Sequence, residues 1–166
     1  MKLFYKPLLS ALGVACITLA SGMALAESNR WVCQPVGYAG ATAAEPLGDR
    51  EGHAIYVGEY SCRIDGGTLD GGIATGTNML EWDKGTAALL SGQGIIRKPG
   101  TTLTYQNSGM KHAPTIADGK VTGFAGSGQG RVTMATGAAS PLSGKNYSFT
   151  YKSIDAGQFV VDMKYE

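Results

Sequence analysis

The side chains in this 166-residue chain that could do chemistry are few: two histidines, His53 and His112, three cysteines, and two carboxylates set beside aromatic residues, Glu59 before Tyr60 and Glu81 before Trp82. A metal centre calls for ligands at short repeated spacings such as H-x-H or H-E-x-x-H, and His53 and His112 stand alone in separate segments. No metal ligand is assigned. A serine nucleophile on a strand-to-helix elbow needs G-x-S-x-G, and Ser127 in FAGSGQG has Ala125 where the first glycine belongs. Glu59 or Glu81 could act as a general acid or base at the edge of a pocket, although an outward, solvated carboxylate is the plainer reading of each. Both histidines read as surface or loop residues. No catalytic residue is assigned.

The stretch GFAGSGQGRVTMATGAASPLSGK, Gly123 to Lys145, poses the other chemical question, because glycine clusters can cradle phosphate. A dinucleotide fingerprint is G-x-G-x-x-G between a strand and a helix; here Gly126, Gly128 and Gly130 make G-x-G-x-G, followed by the β-branched run RVTMAT. Gly144-Lys145 precedes Asn146 and has no glycine five residues earlier, so a Walker loop is absent too. No nucleotide cofactor is expected. Strands that close a small barrel must coil sharply, and residues without Cβ relieve the crowding. Gly92 and Gly94, in LLSGQGII, sit inside another strand-like run, and each such glycine costs about 0.5–1 kcal/mol against alanine. That density points to a barrel.

The ends of the chain bear on compartment. Residues 1–26 carry Lys2 and Lys6, then an apolar run, then Ala24-Leu25-Ala26, the pattern of a cleaved secretory signal peptide too short to span a bilayer. Residues 27–166 are then one domain. Taking Lys2 and Lys6 from the 14 basic residues leaves 12 against 13 acidic ones, a net charge of −1, which offers neither nucleic acid nor an anionic membrane a basic surface. The expected location is periplasmic or secreted. With Cys16 in the leader, Cys33 and Cys62 remain as an even pair and are expected to form a disulfide.

The elements that must hold these residues are strands. Tyr147, Phe149 and Tyr151 alternate with polar residues over Asn146 to Lys152, and Phe159, Val161, Met163 and Tyr165 do the same in the last run. Between them lies a turn, giving a C-terminal hairpin. Further strands are expected over Trp31–Val36, Ala54–Ile64, Met79–Asp83, Thr86–Lys98 and Thr101–Met110, with Lys84-Gly85 and Pro99-Gly100 as turns. Residues 37–52 and 135–144 read as loops by composition. The fold expected is all-β, a single antiparallel barrel of about eight strands.

The strand-borne glycines, the Gly-x-Gly-x-Gly run with RVTMATGAASPLSGK, and the aromatic strand NYSFTYKS resemble the second half of the allene oxide cyclase and dirigent type of calycin-like barrel, over residues 86–166. The resemblance implies an apolar lumen, and in some members the steering of a hydrophobic substrate; it carries over no catalytic residue. Three functions follow: a binder of a small apolar or amphipathic ligand, an enzyme acting by confinement, or a filled barrel working through its surface. Trp82 and Tyr105 are the expected pocket wall and His112 its rim, yet His112 has the opposite strand parity to Tyr105. Only a bulge around Asn107 to Gly109 could bring both to one side. The sequence leaves a homo-oligomer open.

Overall fold

Alternation of apolar and polar residues makes each run a half-buried strand, and the strands pair with their neighbours in chain order. The computed structural model describes residues 27–36, 44–155 and 157–166; the leader read at 1–26 and residues 37–43 of the first loop lie outside them. Strands are β1 (Ser28–Val36), β2 (Glu45–Pro46), β3 (Ala54–Asp65), β4 (Ile73–Asp83), β5 (Thr86–Lys98), β6 (Thr101–Ala117), β7 (Lys120–Ala135), β8 (Asn146–Asp155) and β9 (Gln158–Tyr165). The ladder runs antiparallel from β3 through β9 to β1, and β1 pairs back onto β3. Eight strands therefore form a closed barrel. The two-residue β2 adds to the outer part of β3 through Glu45↔Ile55 and Pro46↔Ala54.

Cys33 and Cys62 face each other directly in the β1–β3 ladder and are joined by a disulfide, with Cα atoms 4.0 Å apart. This seam is where the sheet closes on itself. Bridging a loop of 29 residues stabilises by about 3–4 kcal/mol in the chain-entropy account.

The two ends of the barrel differ. At one end the β3–β4 turn contributes Leu69, and a 3-10 helix over Gly137–Leu142 contributes Ala139 and Leu142, all buried. These plug the lumen onto Trp31, Ile64, Ile96, Leu103, Val132 and Tyr165. Lys98 fastens the plug by donating to the carbonyls of Thr68 (3.3 Å) and Asp70 (2.9 Å). The opposite end carries the tight turns at Lys84-Gly85 and Asp118-Gly119, in each of which both residues have positive φ, as the twist of a two-residue hairpin requires. It has no such plug among the described residues.

Four expectations need adjustment. The strand anticipated at Met79 begins at Ile73, because the Gly-Thr-rich start of β4 pairs in register although it looks like a turn. The segment 135–144 contains the 3-10 plug over Gly137–Leu142, since Leu142 makes a core contact that composition does not announce. The segment 44–52 is held by β2 and by a charged cluster. His53, read as a surface or loop residue, lies in the connection just before β3 but is buried: its Nδ1 meets Asp49 Oδ1 at 2.5 Å and its Nε2 meets Glu81 Oε1 at 2.9 Å. The flanking carboxylates hold its pKa above the ordinary histidine value.

Gly123 to Gly130 lie inside β7, so the glycines are strand residues and not a loop. Their role shows in the register. Tyr147 of β8 sits opposite Gly130, Phe149 opposite Gly128 and Tyr151 opposite Gly126. Likewise Tyr60 sits opposite Gly76, and Tyr105 opposite Gly94. At each of these glycines a Cβ would run into the ring across from it. Each inward aromatic is bedded on a neighbouring strand where there is no side chain to displace it.

Candidate functional site in the open half of the barrel

A cavity of about 950 Å³ occupies the unplugged half of the lumen. Two of the strands that build it, β5 and β6, change face at one level. On β6 the inward residues are Leu103, Tyr105 and Asn107 below, and Met110, His112 and Pro114 above. The switch is a bulge: the β6–β7 register shifts between Ser108 and Lys111, and Gly109 takes a left-handed backbone with φ of 60°. Among the described residues Gly109 is the one positive-φ residue inside a strand. Because of it, Tyr105 and His112 line one cavity despite their opposite parity. A matching shift on β5, between the partners of Met79 and Leu80, leaves Leu90 outside the ladder at the same level.

Of the three residues singled out from sequence, Trp82, Tyr105 and His112 all line this space, in different places. Tyr105 is part of the floor. Its hydroxyl lies 3.0 Å from that of Tyr60, and the edge of Trp31 packs against its ring at 5.6 Å. Tyr60 and Tyr105 reach each other across β4 and β5 because Gly76 and Gly94 stand between them in register. Beside them Asn107 donates to Asn78 Oδ1 at 3.0 Å, and Tyr147 donates to Asn107 Oδ1 at 2.6 Å across Gly130. The floor is thus a hydrogen-bonded, uncharged polar network, and burial holds the Tyr60, Tyr105 and Tyr147 hydroxyls above their usual pKa.

Trp82 and His112 belong to the wall of the open half, with His112 half-buried and paired with Ala87 near the Lys84-Gly85 turn. Its ring stacks on Phe124 at 4.9 Å and 22°, and Trp82 meets it edge-on at 5.1 Å. Its Nδ1 is hydrogen-bonded to the hydroxyl of Tyr151. The pairing is a consequence of register: His112 on β6, Gly126 on β7 and Tyr151 on β8 form one row, and a Cβ on residue 126 would occupy the space of the Tyr151 ring. Desolvation lowers the His112 pKa to about 4 and raises that of Tyr151, so both are uncharged at neutral pH.

Tyr151, Phe124, Met110 and Asn107 are site residues that strand reading did not single out. Tyr151 shares the face of Tyr147 and Phe149, so its inward direction was readable; what it touches was not. Met110 and Asn107 lie on either side of the bulge, where face assignment depends on the backbone of Gly109. Among the described lining residues there is no lysine or arginine, and the acidic ones are Glu59 and Asp155. No cluster of three or more metal-type ligands occurs among the described residues. Nothing matches this chain among protein-family models, curated proteins or solved structures.

Proposed function

We propose that this chain is a secreted or periplasmic barrel protein that holds one small apolar or amphipathic molecule in the open half of its lumen, with no nucleotide or metal. The observation that carries the proposal is the cavity itself. Barrels of eight strands have interiors that side chains can fill, and this one is filled only in its plugged half. The remaining space of about 950 Å³ lies in the size range of small-molecule sites. Its rings offer apolar faces, and the asparagine–tyrosine floor offers a few fixed polar groups. The disulfide across the closing seam fits an oxidising compartment, and no helix among the described residues is long and apolar enough to cross a membrane.

The test is binding of the neutral fluorescent probe N-phenyl-1-naphthylamine to the oxidised protein, with native mass spectrometry of the purified protein for a co-purifying apolar molecule. One probe per chain is expected, and Trp82→Ala should weaken it by about tenfold, about 1.4 kcal/mol of lost ring contact. A folded protein that binds no probe would end this reading.

A second reading, an enzyme of the allene oxide cyclase or dirigent sort that steers a hydrophobic substrate by confinement, is favoured by one feature. His112 and Tyr151 place an imidazole and a phenol in hydrogen-bond contact against apolar rings, where a proton could pass between the pair and a bound substrate. Turnover of a hydrophobic substrate that disappears in Tyr151→Phe while the probe still binds would establish it.

A further inference from the structure

The cavity carries information about the charge and the polar end of its occupant. Among the described lining residues no side chain bears a positive charge at neutral pH. A carboxylate drawn into this space would leave water without gaining a cation. A cationic end would find aromatic faces but also a hydrogen-bond donor. That donor is on His112. A phenol is a stronger acid than a neutral imidazole, so in the His112–Tyr151 pair the Tyr151 O–H donates to Nδ1 and the remaining ring proton resides on Nε2. No hydrogen bond to Nε2 is formed by any described residue, whereas the floor groups Tyr60, Tyr105, Asn78 and Asn107 are bonded among themselves. The Trp82 indole N–H and the Asn78 amide N–H also have no partner among the described residues, but the His112 donor is the one held in place by a second hydrogen bond, to Tyr151, and it is flanked by Phe124 and Trp82.

Resting on the binding function proposed above, we infer that the occupant is an uncharged apolar molecule whose polar end is a hydrogen-bond acceptor, such as a ketone or ester oxygen, received by His112 Nε2–H, and that the site selects against carboxylates. Gly126 is the enabling residue, because it allows the His112 and Tyr151 rings to meet across β7. Tyr151 is a positioning residue: its hydroxyl fixes the tautomer that points the proton into the cavity.

Four ligands of one shape test the inference by displacement of N-phenyl-1-naphthylamine at pH 8: hexanophenone, hexylbenzene, 6-phenylhexanoate and 6-phenylhexyltrimethylammonium. Hexanophenone should bind about fivefold more tightly than hexylbenzene, the worth of one ordinary hydrogen bond. It should also exceed the carboxylate by about thirtyfold or more, and the quaternary ammonium compound by a smaller factor. In His112→Phe the ketone advantage over hexylbenzene should fall to about one, and this ratio is read within one protein, so a change in overall stability does not imitate it. In Tyr151→Phe the ratio should fall part of the way. Equal binding of ketone and hydrocarbon, or tighter binding of the carboxylate or the ammonium compound, overturns the inference and leaves the cavity a binding site. Failure of the probe and of all four ligands brings down the binding function itself, and the inference with it. The wild-type series decides the matter even if neither variant folds.

Discussion

Replacing Gly130 by alanine separates two accounts of the glycine-rich strand, because they disagree in sign. If residues 123–130 were merely flexible, alanine would restrict the unfolded chain and stabilise the protein by about 0.5–1 kcal/mol. In the barrel, a methyl group on residue 130 runs into the hydroxyl and ring of Tyr147 and into the carbonyl oxygen of Gln106. The carbonyl belongs to a paired strand and cannot swing aside, and Tyr147 is fully buried and bonded to Asn107 at 2.6 Å. Overpacking of this kind costs about 1–3 kcal/mol. Displacing the Tyr147 hydroxyl forfeits about 1 kcal/mol more. Set against the entropic gain, the net destabilisation is about 2 kcal/mol, a substantial part of the roughly 5–15 kcal/mol of a typical domain. Urea unfolding of the oxidised protein, followed through Trp31 and Trp82, should show the midpoint lowered by about 1 M with an unchanged slope. Gly128→Ala should cost less, since its Cβ would meet the tip of the Phe149 ring at 2.5 Å and Met110 Cα at 3.0 Å, and Phe149→Leu should recover part of the loss. Ser127→Ala, at an exposed position next to Gly128, should change little. A Gly130→Ala protein as stable as the wild type, or more so, refutes the bedding of rings on glycine.

Removing both Cys33 and Cys62 as serines should lower stability by about 3–4 kcal/mol in the same assay, and the unreduced wild type should show neither of these two thiols to a labelling reagent; two reactive thiols would show the seam unbridged. The two histidines should titrate on opposite sides of the ordinary value by NMR, His112 at about 4 and His53 above 6.5. For His112 the folded pKa is depressed, so its neutral form favours the fold above pH 6.5, and that contribution is lost as the pH falls from 6.5 towards 4. For His53 the folded pKa is raised, so the contribution of its contacts with Asp49 and Glu81 is complete below pH 6.5 and is lost as the pH rises through the folded value. Coincident titration of both at the unperturbed value would contradict the burial of one and the pairing of the other.

Much of the fold can be read along the chain. Alternation over Tyr147, Phe149 and Tyr151 and over Phe159 to Tyr165 defines β8 and β9, and turn residues such as Lys84-Gly85 and Pro99-Gly100 place the hairpins, because local backbone preference and one-sided burial act over a few residues at a time. Part of the site is legible for the same reason: Trp82 and Tyr105 are large rings on strands, and a side chain of that size goes into the lumen. His53 is less so. Its burial depends on Glu81, on another strand, so nothing adjacent in sequence distinguishes it from an exposed loop histidine.

The amino-acid sequence alone determined that the chain forms antiparallel strands, that glycine would stand inside them, and that two cysteines would be left to pair, since each of these follows from residue type and near-neighbour spacing. Tertiary structure decided which strand register sets Gly126 between His112 and Tyr151, how the bulge at Gly109 turns His112 to the side of Tyr105, and which end of the lumen is plugged. Those features depend on where distant strands stop sliding past one another, and a slip of one residue would send every side chain to the opposite face while leaving the local pattern unchanged.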